Sequence, residues 1–255
     1  MQIPKLYFVG TAGSGKTTMV KQFRRWMNEH GYDALTINLD PGAEELPYEP
    51  EIDIREWVTL AGVMEEHGLG PNGAQIACAD LLATKIGEVR EIMDGLNTDY
   101  FLIDTPGQIE LFAFRESSRF TVDALGQTES AIAFLFDPFL SKTPSGYISN
   151  LLLAATVQFR FYVPSIYVLS KADQLGEEAL EQVLEWSREH ERLLDAVVSE
   201  APSMSREVSI EFLRGLSGLG ASRALFPVSS KEMTGFEDLY NSVQQTFAGG
   251  EDIER

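Results

Sequence analysis

Short apolar runs alternate along the 255-residue chain with longer segments in which apolar residues recur at helical spacing. The first such segment, KTTMVKQFRRWMNEHG, carries Met19, Val20, Phe23 and Met27 on one helical face. Because the short runs are apolar almost throughout, we expect strands buried on both faces, as in a parallel sheet covered by helices. The alternating order predicts an α/β doubly wound fold, a three-layer sandwich with a mostly parallel sheet. The predicted strands are KLYFVG (5–10), ALTINLD (34–40), YFLIDT (100–105), AIAFLFD (131–137), SIYVLS (165–170) and ALFPVSS (224–230).

Residues 46–99 are too many for an ordinary connection between strands, and their pattern predicts helices on both sides of GLGPNGA (68–74). We therefore expect one domain over residues 1–255, with a helical insertion at about 50–98. A turn is predicted at its centre. Pro71 would fix one backbone angle, and Asn72-Gly73 would supply left-handed conformations.

The net charge limits which binding partners the protein can have, and the cysteine content limits its disulfides and location. The formal net charge of −19, from 20 basic and 39 acidic side chains, repels phosphate backbones and anionic membranes. We therefore expect no direct nucleic-acid partner and no membrane partner, and a phosphorylated ligand would need a focused local site. The single cysteine, Cys78, excludes an internal disulfide and fits a cytoplasmic location.

GTAGSGKT (10–17) matches G-x-x-x-x-G-K-[ST] and stands between an apolar strand and an amphipathic helix, the context that a phosphate-binding loop requires. Glycines let backbone N–H groups surround an anion, and the helix N-terminus adds favourable partial charge. Lys16 is expected to reach the β- and γ-phosphates, and Thr17 to place its hydroxyl on Mg²⁺. A glycine turn before a helix is the structural alternative. The predicted phosphate-binding set is Gly13, Ser14, Gly15, Lys16, Thr17 and Thr18.

FLIDTPGQ (101–108) supplies a second candidate element. Asp104 ends an apolar strand, where an acidic residue would hold Mg²⁺ directly or through water. Gly107 could offer its N–H to the γ-phosphate, and Gln108 stands where GTPases carry a glutamine that orients water. Asp-x-x-Gly alone is common at strand ends, so its weight comes from the neighbouring phosphate-binding loop.

SKAD (170–173) ends the fifth predicted strand and resembles the Asn-Lys-x-Asp motif of GTPases, with Ser170 in place of Asn. Asp173 would accept hydrogen bonds from guanine N1–H and the exocyclic amine, and Lys171 would stack on the base. VSSKE (228–232) resembles a further base-binding loop, Ser-Ala-Lys, with Ser230 in place of Ala. An exposed charged turn is the alternative for SKAD.

Asp40 follows the second predicted strand and would lie near the phosphates. Like charges repel, so it would hold a metal-bound water or polarise the attacking water rather than bind the triphosphate. A turn-initiating Asp before Pro41-Gly42 is the alternative. Downstream, Arg55 in DIRE is a candidate internal arginine finger, although DIRE also suits a structural ion-pair cluster.

With GTAGSGKTT, NLDPG, ELPYEP, GPN, DTPGQIE and SKAD in this order, the sequence resembles the GPN-loop GTPases over roughly residues 4–240. The resemblance implies a P-loop GTPase, homodimeric or pseudo-dimeric, that binds GTP and GDP. It implies that Thr17, Asp40 and Asp104 form the Mg²⁺ environment, that Gln108 lies near the γ-phosphate, and that Lys171 and Asp173 bind guanine. It also implies that the loop of Gly70, Pro71 and Asn72 reaches the partner subunit's site, where Asn72 would contact phosphate or the attacking water.

Three functions remain to be weighed. The first is a Mg²⁺-dependent GTPase that acts as a dimeric switch or assembly factor, with an unknown protein client. The second is a small-molecule kinase with the same phosphate-binding loop, which would need an acceptor site and a lid with arginines. The third is an interaction module that holds GTP or GDP with negligible turnover.

Overall fold

The computed structural model describes residues 3–217 and 224–248, and a seven-stranded, all-parallel sheet forms its centre. The strands follow the order β3-β2-β4-β1-β5-β6-β7 across the sheet, so the first strand lies in the middle. They are β1 (Lys5–Gly10), β2 (Ala34–Asn38), β3 (Ile52–Asp53), β4 (Tyr100–Asp104), β5 (Ser130–Phe136), β6 (Ser165–Leu169) and β7 (Leu225–Pro227).

Eleven α-helices of the described residues connect these strands and cover both faces of the sheet. They are α1 (Lys16–Glu29), α2 (Leu60–His67), α3 (Pro71–Asp94), α4 (Ile109–Ala113), α5 (Glu116–Gly126), α6 (Pro138–Ser141), α7 (Pro144–Phe161), α8 (Glu177–Arg188), α9 (His190–Ser199), α10 (Met204–Ser217) and α11 (Phe236–Ala248). No helix in the described part of the chain combines the length and apolar character that crossing a membrane requires.

The central strand β1 shows how the sequence produces three layers. Successive side chains of a strand point to opposite faces of the sheet. Leu6 and Phe8 accordingly pack in the cluster that contains apolar residues of α1 and α11. Tyr7 and Val9 pack in the cluster formed with α3, α5 and α7. Because all four side chains are buried, the strand has no polar face, as the continuous apolar run predicted.

The prediction of an α/β fold with a parallel sheet is confirmed, and each of the six predicted strands is present. The sequence pattern did not predict β3, whose two residues pair with β2 through Ile37–Ile52 and Asn38–Asp53. Two residues are too few to produce a recognisable hydrophobic period. The last predicted strand, 224–230, is shorter than expected and ends at Pro227.

The chain direction changes between α2 and α3 by a route that the sequence did not predict. Gly68 ends α2 in the left-handed region, with φ of 62°. Gly70 is extended, Pro71 takes the first helical position of α3, and Asn72 and Gly73 are helical. The predicted left-handed conformation at Asn72-Gly73 is therefore wrong. Proline is well suited to the first turn of a helix, where its missing N–H has no carbonyl to meet.

Candidate functional site

The candidate site lies at the sheet edge where the parallel strands end. Carboxyl ends of parallel strands meet at one edge, and ligands of open α/β sheets bind in the crevice there. The loops after β1, β2, β4 and β6 carry the residues that the sequence predicted for phosphate, metal and base.

The phosphate-binding loop joins β1 to α1 and curves tightly. Gly13 and Gly15 have φ of 76° and 91°, values that only glycine adopts without strain. The Ser14 hydroxyl is buried and has no hydrogen-bond partner among the described residues, whereas Thr18 is exposed. A buried, unpartnered donor inside a glycine-rich loop at a helix N-terminus is suited to an anion.

Lys16 is the buried cation of this loop. Its Nζ donates to the carbonyl oxygens of Gly10 at 2.9 Å, Thr11 at 3.0 Å and Gly107 at 3.0 Å. Burial lowers the Lys16 pKa to about 8, although the carboxylates of Asp104 and Asp40 oppose that shift. The ammonium is therefore held between the phosphate-binding loop and the loop after β4, where phosphate oxygens could replace the carbonyls.

Asp104 is almost fully buried at the end of β4. Burial raises its pKa to about 6, and the neighbouring hydroxyls of Thr17 and Tyr48 act in the opposite direction. The Tyr48 hydroxyl donates to Oδ2 at 3.1 Å. The other oxygen, Oδ1, is buried and has no close hydrogen-bond donor in the described part of the chain.

The oxygen atoms of the Asp104 carboxylate and the Thr17 hydroxyl are suited to binding Mg²⁺. The cation prefers oxygen ligands and is commonly held by one or two carboxylates together with phosphate oxygens and water. A buried carboxylate oxygen without a donor, next to the Thr17 hydroxyl, supplies this chemistry.

Asp40 lies just beyond β2 and accepts two backbone hydrogen bonds. Its Oδ1 accepts from Gly42 N–H at 2.9 Å, and its Oδ2 accepts from Gly107 N–H at 3.0 Å. Burial raises the Asp40 pKa, while these two hydrogen bonds and the charge of Lys16 lower it. In this structure the Gly107 N–H, predicted to meet the γ-phosphate, is therefore donated to the Asp40 carboxylate.

A cavity of about 170 Å³ adjoins Asp40 and Gly107. Gln108, exposed at the start of α4, lines it together with Gln75 and Cys78 of α3. Helix α3 therefore lines this cavity beside Asp40 and Gln108. Cys78 itself is buried.

The loops after β6 and β7 come together on the other side of the phosphate-binding loop. Lys171 takes a left-handed conformation, with φ of 50°, and its Nζ donates to the Gly13 carbonyl at 2.5 Å. Asp173 accepts from the Ser229 hydroxyl at 2.6 Å. The predicted residue Ser230 instead has its hydroxyl 3.7 Å from the sulfur of Met19. Ser229 is therefore the serine that holds the Asp173 carboxylate.

The contacts of Arg55 are with neighbouring residues of its own segment and the loop after β2. Its guanidinium pairs with Asp53, with a shortest distance of 2.6 Å, and donates to the carbonyl oxygens of Ala43 at 2.9 Å and Glu44 at 3.3 Å. These contacts favour the ion-pair interpretation of DIRE over an arginine finger.

The Gly-Pro-Asn stretch is exposed. Gly70, Pro71 and Asn72 all lie at the surface, and the Asn72 side chain makes no hydrogen bond to any described residue. The backbone N–H groups of Asn72 and Gly73, in the first turn of α3, meet no backbone carbonyl within residues 3–217 and 224–248. Gln75, one turn further along α3, already lines the cavity beside Asp40.

Sequence reasoning missed three residues near the site: Tyr48, Gln75 and Ser229. The first position of the Ser-x-Lys pattern could have identified Ser229. Tyr48 and Gln75 carry no local signal for their positions, because each depends on how distant elements pack.

The fold and this sheet edge define a P-loop nucleoside triphosphatase. A family model described as "Conserved hypothetical ATP binding protein" matches residues 8–249. GPN-loop GTPase PAB0955 of Pyrococcus abyssi (strain GE5 / Orsay) is 36% identical over 91% of this chain and 92% of its own length. Its relative in Dictyostelium discoideum, GPN-loop GTPase 1, is 31% identical over 84% of this chain. The chain belongs to the GPN-loop GTPase family and is a GTPase.

A solved structure leads to the same family. The crystal structure of PAB0955, described as a GTPase in apo form, superposes with a TM-score of 0.87 at 34% identity, covering 97% of this chain and 99% of that one. The match to the Dictyostelium relative covers only 56% of that protein's length, so this chain corresponds to part of the longer relatives.

Proposed function

We propose that this protein is a Mg²⁺-dependent GTPase that acts as a homodimeric nucleotide-state switch. The observation that carries the proposal is the Asp104 carboxylate, buried at the sheet edge beside Thr17 and Lys16 with one oxygen lacking a donor. A buried, partly unsatisfied carboxylate is costly to a fold, and a bound cation would offset that cost.

Lys16 and the N–H groups of residues 13–18 would bind the phosphates, with Ser14 adding a hydroxyl donor. Thr17 and Asp104 would hold Mg²⁺, and Asp40 would reach it directly or through water. Bound Mg²⁺ would supply positive charge that neutralises the negative charge developing on the phosphates. Asp40 and Gln108 face the same cavity, which suits orienting an attacking water.

Guanine would be bound by the loops after β6 and β7. Asp173 would accept from N1–H and the exocyclic amine, a pair of donors that adenine lacks. Ser229 donates to this carboxylate, and Lys171 donates to the Gly13 carbonyl, so its stem would be close enough to the phosphate-binding loop to stack on the base. Ser230 would contribute backbone rather than side-chain contacts.

The Gly-Pro-Asn loop at residues 70–72 would act on the partner subunit's site. The exposure of Asn72 and the two unpartnered N–H groups at the start of α3 support this proposal. A neutral amide cannot neutralise charge as arginine can. We therefore expect Asn72→Ala to lower GTP turnover by about 10²-fold, the effect of losing one donor to the transition state, with GTP affinity largely kept.

Mixing two inactive variants tests whether the loop acts across the dimer. Lys16→Met removes the phosphate contact but keeps Asn72, and Asn72→Ala has the reverse defect. A mixed dimer contains one site with both groups only if Asn72 acts on the partner, so mixing would restore part of the turnover. Co-purification of differently tagged Lys16→Met and Asn72→Ala subunits checks that mixed dimers form. No recovery in the variant mixture would contradict action in trans.

Light scattering with GDP and with a non-hydrolysable GTP analogue tests the dimer itself. A monomer in both states would exclude the homodimeric switch while leaving GTP hydrolysis untouched. A role as an assembly factor for larger complexes, in the cytoplasm, would follow from such a switch and would need a protein client.

A further inference from the structure

Tyr48 contacts the candidate metal site from the irregular segment whose first residues, Pro41 and Gly42, line the cavity beside Asp40. It belongs to residues 41–51, which connect β2 to β3 without regular structure. Its hydroxyl donates to Asp104 Oδ2 at 3.1 Å across 56 positions of sequence. Its ring is half-buried and packs against the cluster that contains Leu102 of β4.

Two arginines fix the segment at both ends. Near its start, Arg55 donates to the carbonyl oxygens of Ala43 and Glu44. Near its end, Arg24 of α1 donates to the Glu49 carbonyl at 3.1 Å and pairs with Glu51. These contacts surround Tyr48 on both sides, so its hydroxyl is held in place before any ligand binds.

The hydroxyl and the carboxylate are suited to each other. A tyrosine hydroxyl, with an ordinary pKa of about 10, is a neutral donor at physiological pH. A neutral donor can occupy one oxygen of a carboxylate without cancelling its charge. The other oxygen, Asp104 Oδ1, keeps its lone pairs for a cation.

We propose that Tyr48 is a positioning residue for the metal-holding carboxylate: its hydroxyl binds Oδ2 of Asp104 and thereby presents Oδ1 to the cation. The proposal deepens the proposed function and rests on it. Groups that hydrogen-bond to metal ligands orient those ligands, and losing one commonly lowers metal affinity 10–100-fold.

Tyr48→Phe tests the hydroxyl while keeping the ring. Mn²⁺, a paramagnetic substitute for Mg²⁺, is titrated into the GDP-bound protein and followed by electron paramagnetic resonance. We expect its affinity to fall 10–100-fold in the variant. GDP affinity in EDTA, where no metal contributes, should stay within about twofold of wild type, since Tyr48 contacts no predicted phosphate-binding residue. Circular dichroism reports whether the variant is folded.

Tyr32→Phe is the matched control. It also removes a hydroxyl that interacts with a buried side chain, Tyr240, but it is remote from Asp104. Its Mn²⁺ affinity should equal that of wild type. A Tyr48→Phe variant with unchanged Mn²⁺ affinity would overturn the proposal. So would an equal loss of GDP affinity with and without metal, because that pattern marks a purely structural role. If wild-type protein itself showed no metal dependence of GDP binding, the proposed function would fail instead.

Discussion

Two regions differ in how their polar groups are hydrogen-bonded. One is the sheet edge that carries the phosphate-binding loop, here called the phosphate edge. The other is the junction of α2 and α3 that contains Gly70, Pro71 and Asn72, here called the Gly-Pro-Asn corner. At the phosphate edge, Lys16 donates to three carbonyl oxygens and Asp40 accepts from two backbone N–H groups. At the corner, residues 65–72 are exposed, and the Asn72 side chain has no hydrogen-bond partner in the described chain.

This difference indicates that the phosphate edge is suited to binding small ligands, whereas the corner is suited to contact with another protein molecule. At the phosphate edge, Lys16 and Asp40 already have partners that ligands can replace. The buried Ser14 hydroxyl and Asp104 Oδ1 have none among the described residues and would gain partners when ligands bind. The corner presents its groups to solvent on a helix start shaped by Pro71, which suits contact with another molecule. The following variants test this contrast, beginning with the largest expected effect.

Lys16→Met should disable the phosphate edge. Removing one member of a buried, hydrogen-bonded charge interaction costs several kcal/mol, so we expect GTP and GDP affinity to fall about 10²–10³-fold. Titration calorimetry measures the change. Lys21→Met, further along α1, is the control and should bind nucleotide as wild type does. Similar affinities in all three proteins would remove Lys16 from the phosphate site.

Asp104→Asn should stabilise the nucleotide-free protein while weakening metal binding. The Asp104 pKa is raised from 3.8 to about 6 when folded, so the native state binds more protons than the unfolded state between these values. The free energy of unfolding therefore falls as pH rises from about 4 to 6, and the variant should lack this loss. We expect a gain of about 3 kcal/mol at pH 7.5, measured by urea unfolding.

Asp195→Asn, an exposed substitution on α9, is the matched control and should leave the unfolding free energy nearly unchanged. An Asp104→Asn variant less stable than wild type would show that the carboxylate supports the fold rather than burdening it.

Ser229→Ala should weaken guanine binding more than Ser230→Ala does. Ser229 donates a hydrogen bond to the Asp173 carboxylate, and losing such a bond to a charged group costs on the order of 1–2 kcal/mol. We expect about a tenfold loss of GTP affinity, with ATP competing more effectively than before. Ser230→Ala should change affinity less than twofold, and a reversal of this order would restore the base-loop role to Ser230.

Gly68→Ala, at the corner, should lower the free energy of unfolding, and Gly87→Ala, further along α3, should raise it. Gly68 has φ of 62°, where a side chain costs about 1 kcal/mol. Gly87 lies exposed within α3 with open space around it, so alanine there should stabilise the helix by about 0.5–1 kcal/mol. Thermal unfolding measures both, and GTP affinity should not change. Equal changes in melting temperature for the two variants would mean that residue 68 accepts a side chain without backbone strain.

Local pattern predicted much of this protein because the signals lie within a few residues of one another. The apolar runs predicted all strands except β3, and GTAGSGKT predicted the loop that surrounds Lys16. Its glycines and lysine function together because they are adjacent in sequence. The direction change before α3 was mispredicted, since Gly68 and Asn72 are both capable of left-handed conformation and only the packing of α2 against α3 selects between them.

The sequence by itself determined the strand order along the chain, the phosphate-binding loop and the family. Only the tertiary structure decided that Tyr48 meets Asp104 across 56 positions, that Gly107 donates to Asp40 across 67, and that Ser229 meets Asp173 across 56. The physical reason is that side-chain hydrogen bonds depend on positions to within about half an ångström. Such positions arise when a whole sheet and its helices pack, and no spacing along one stretch of chain specifies them.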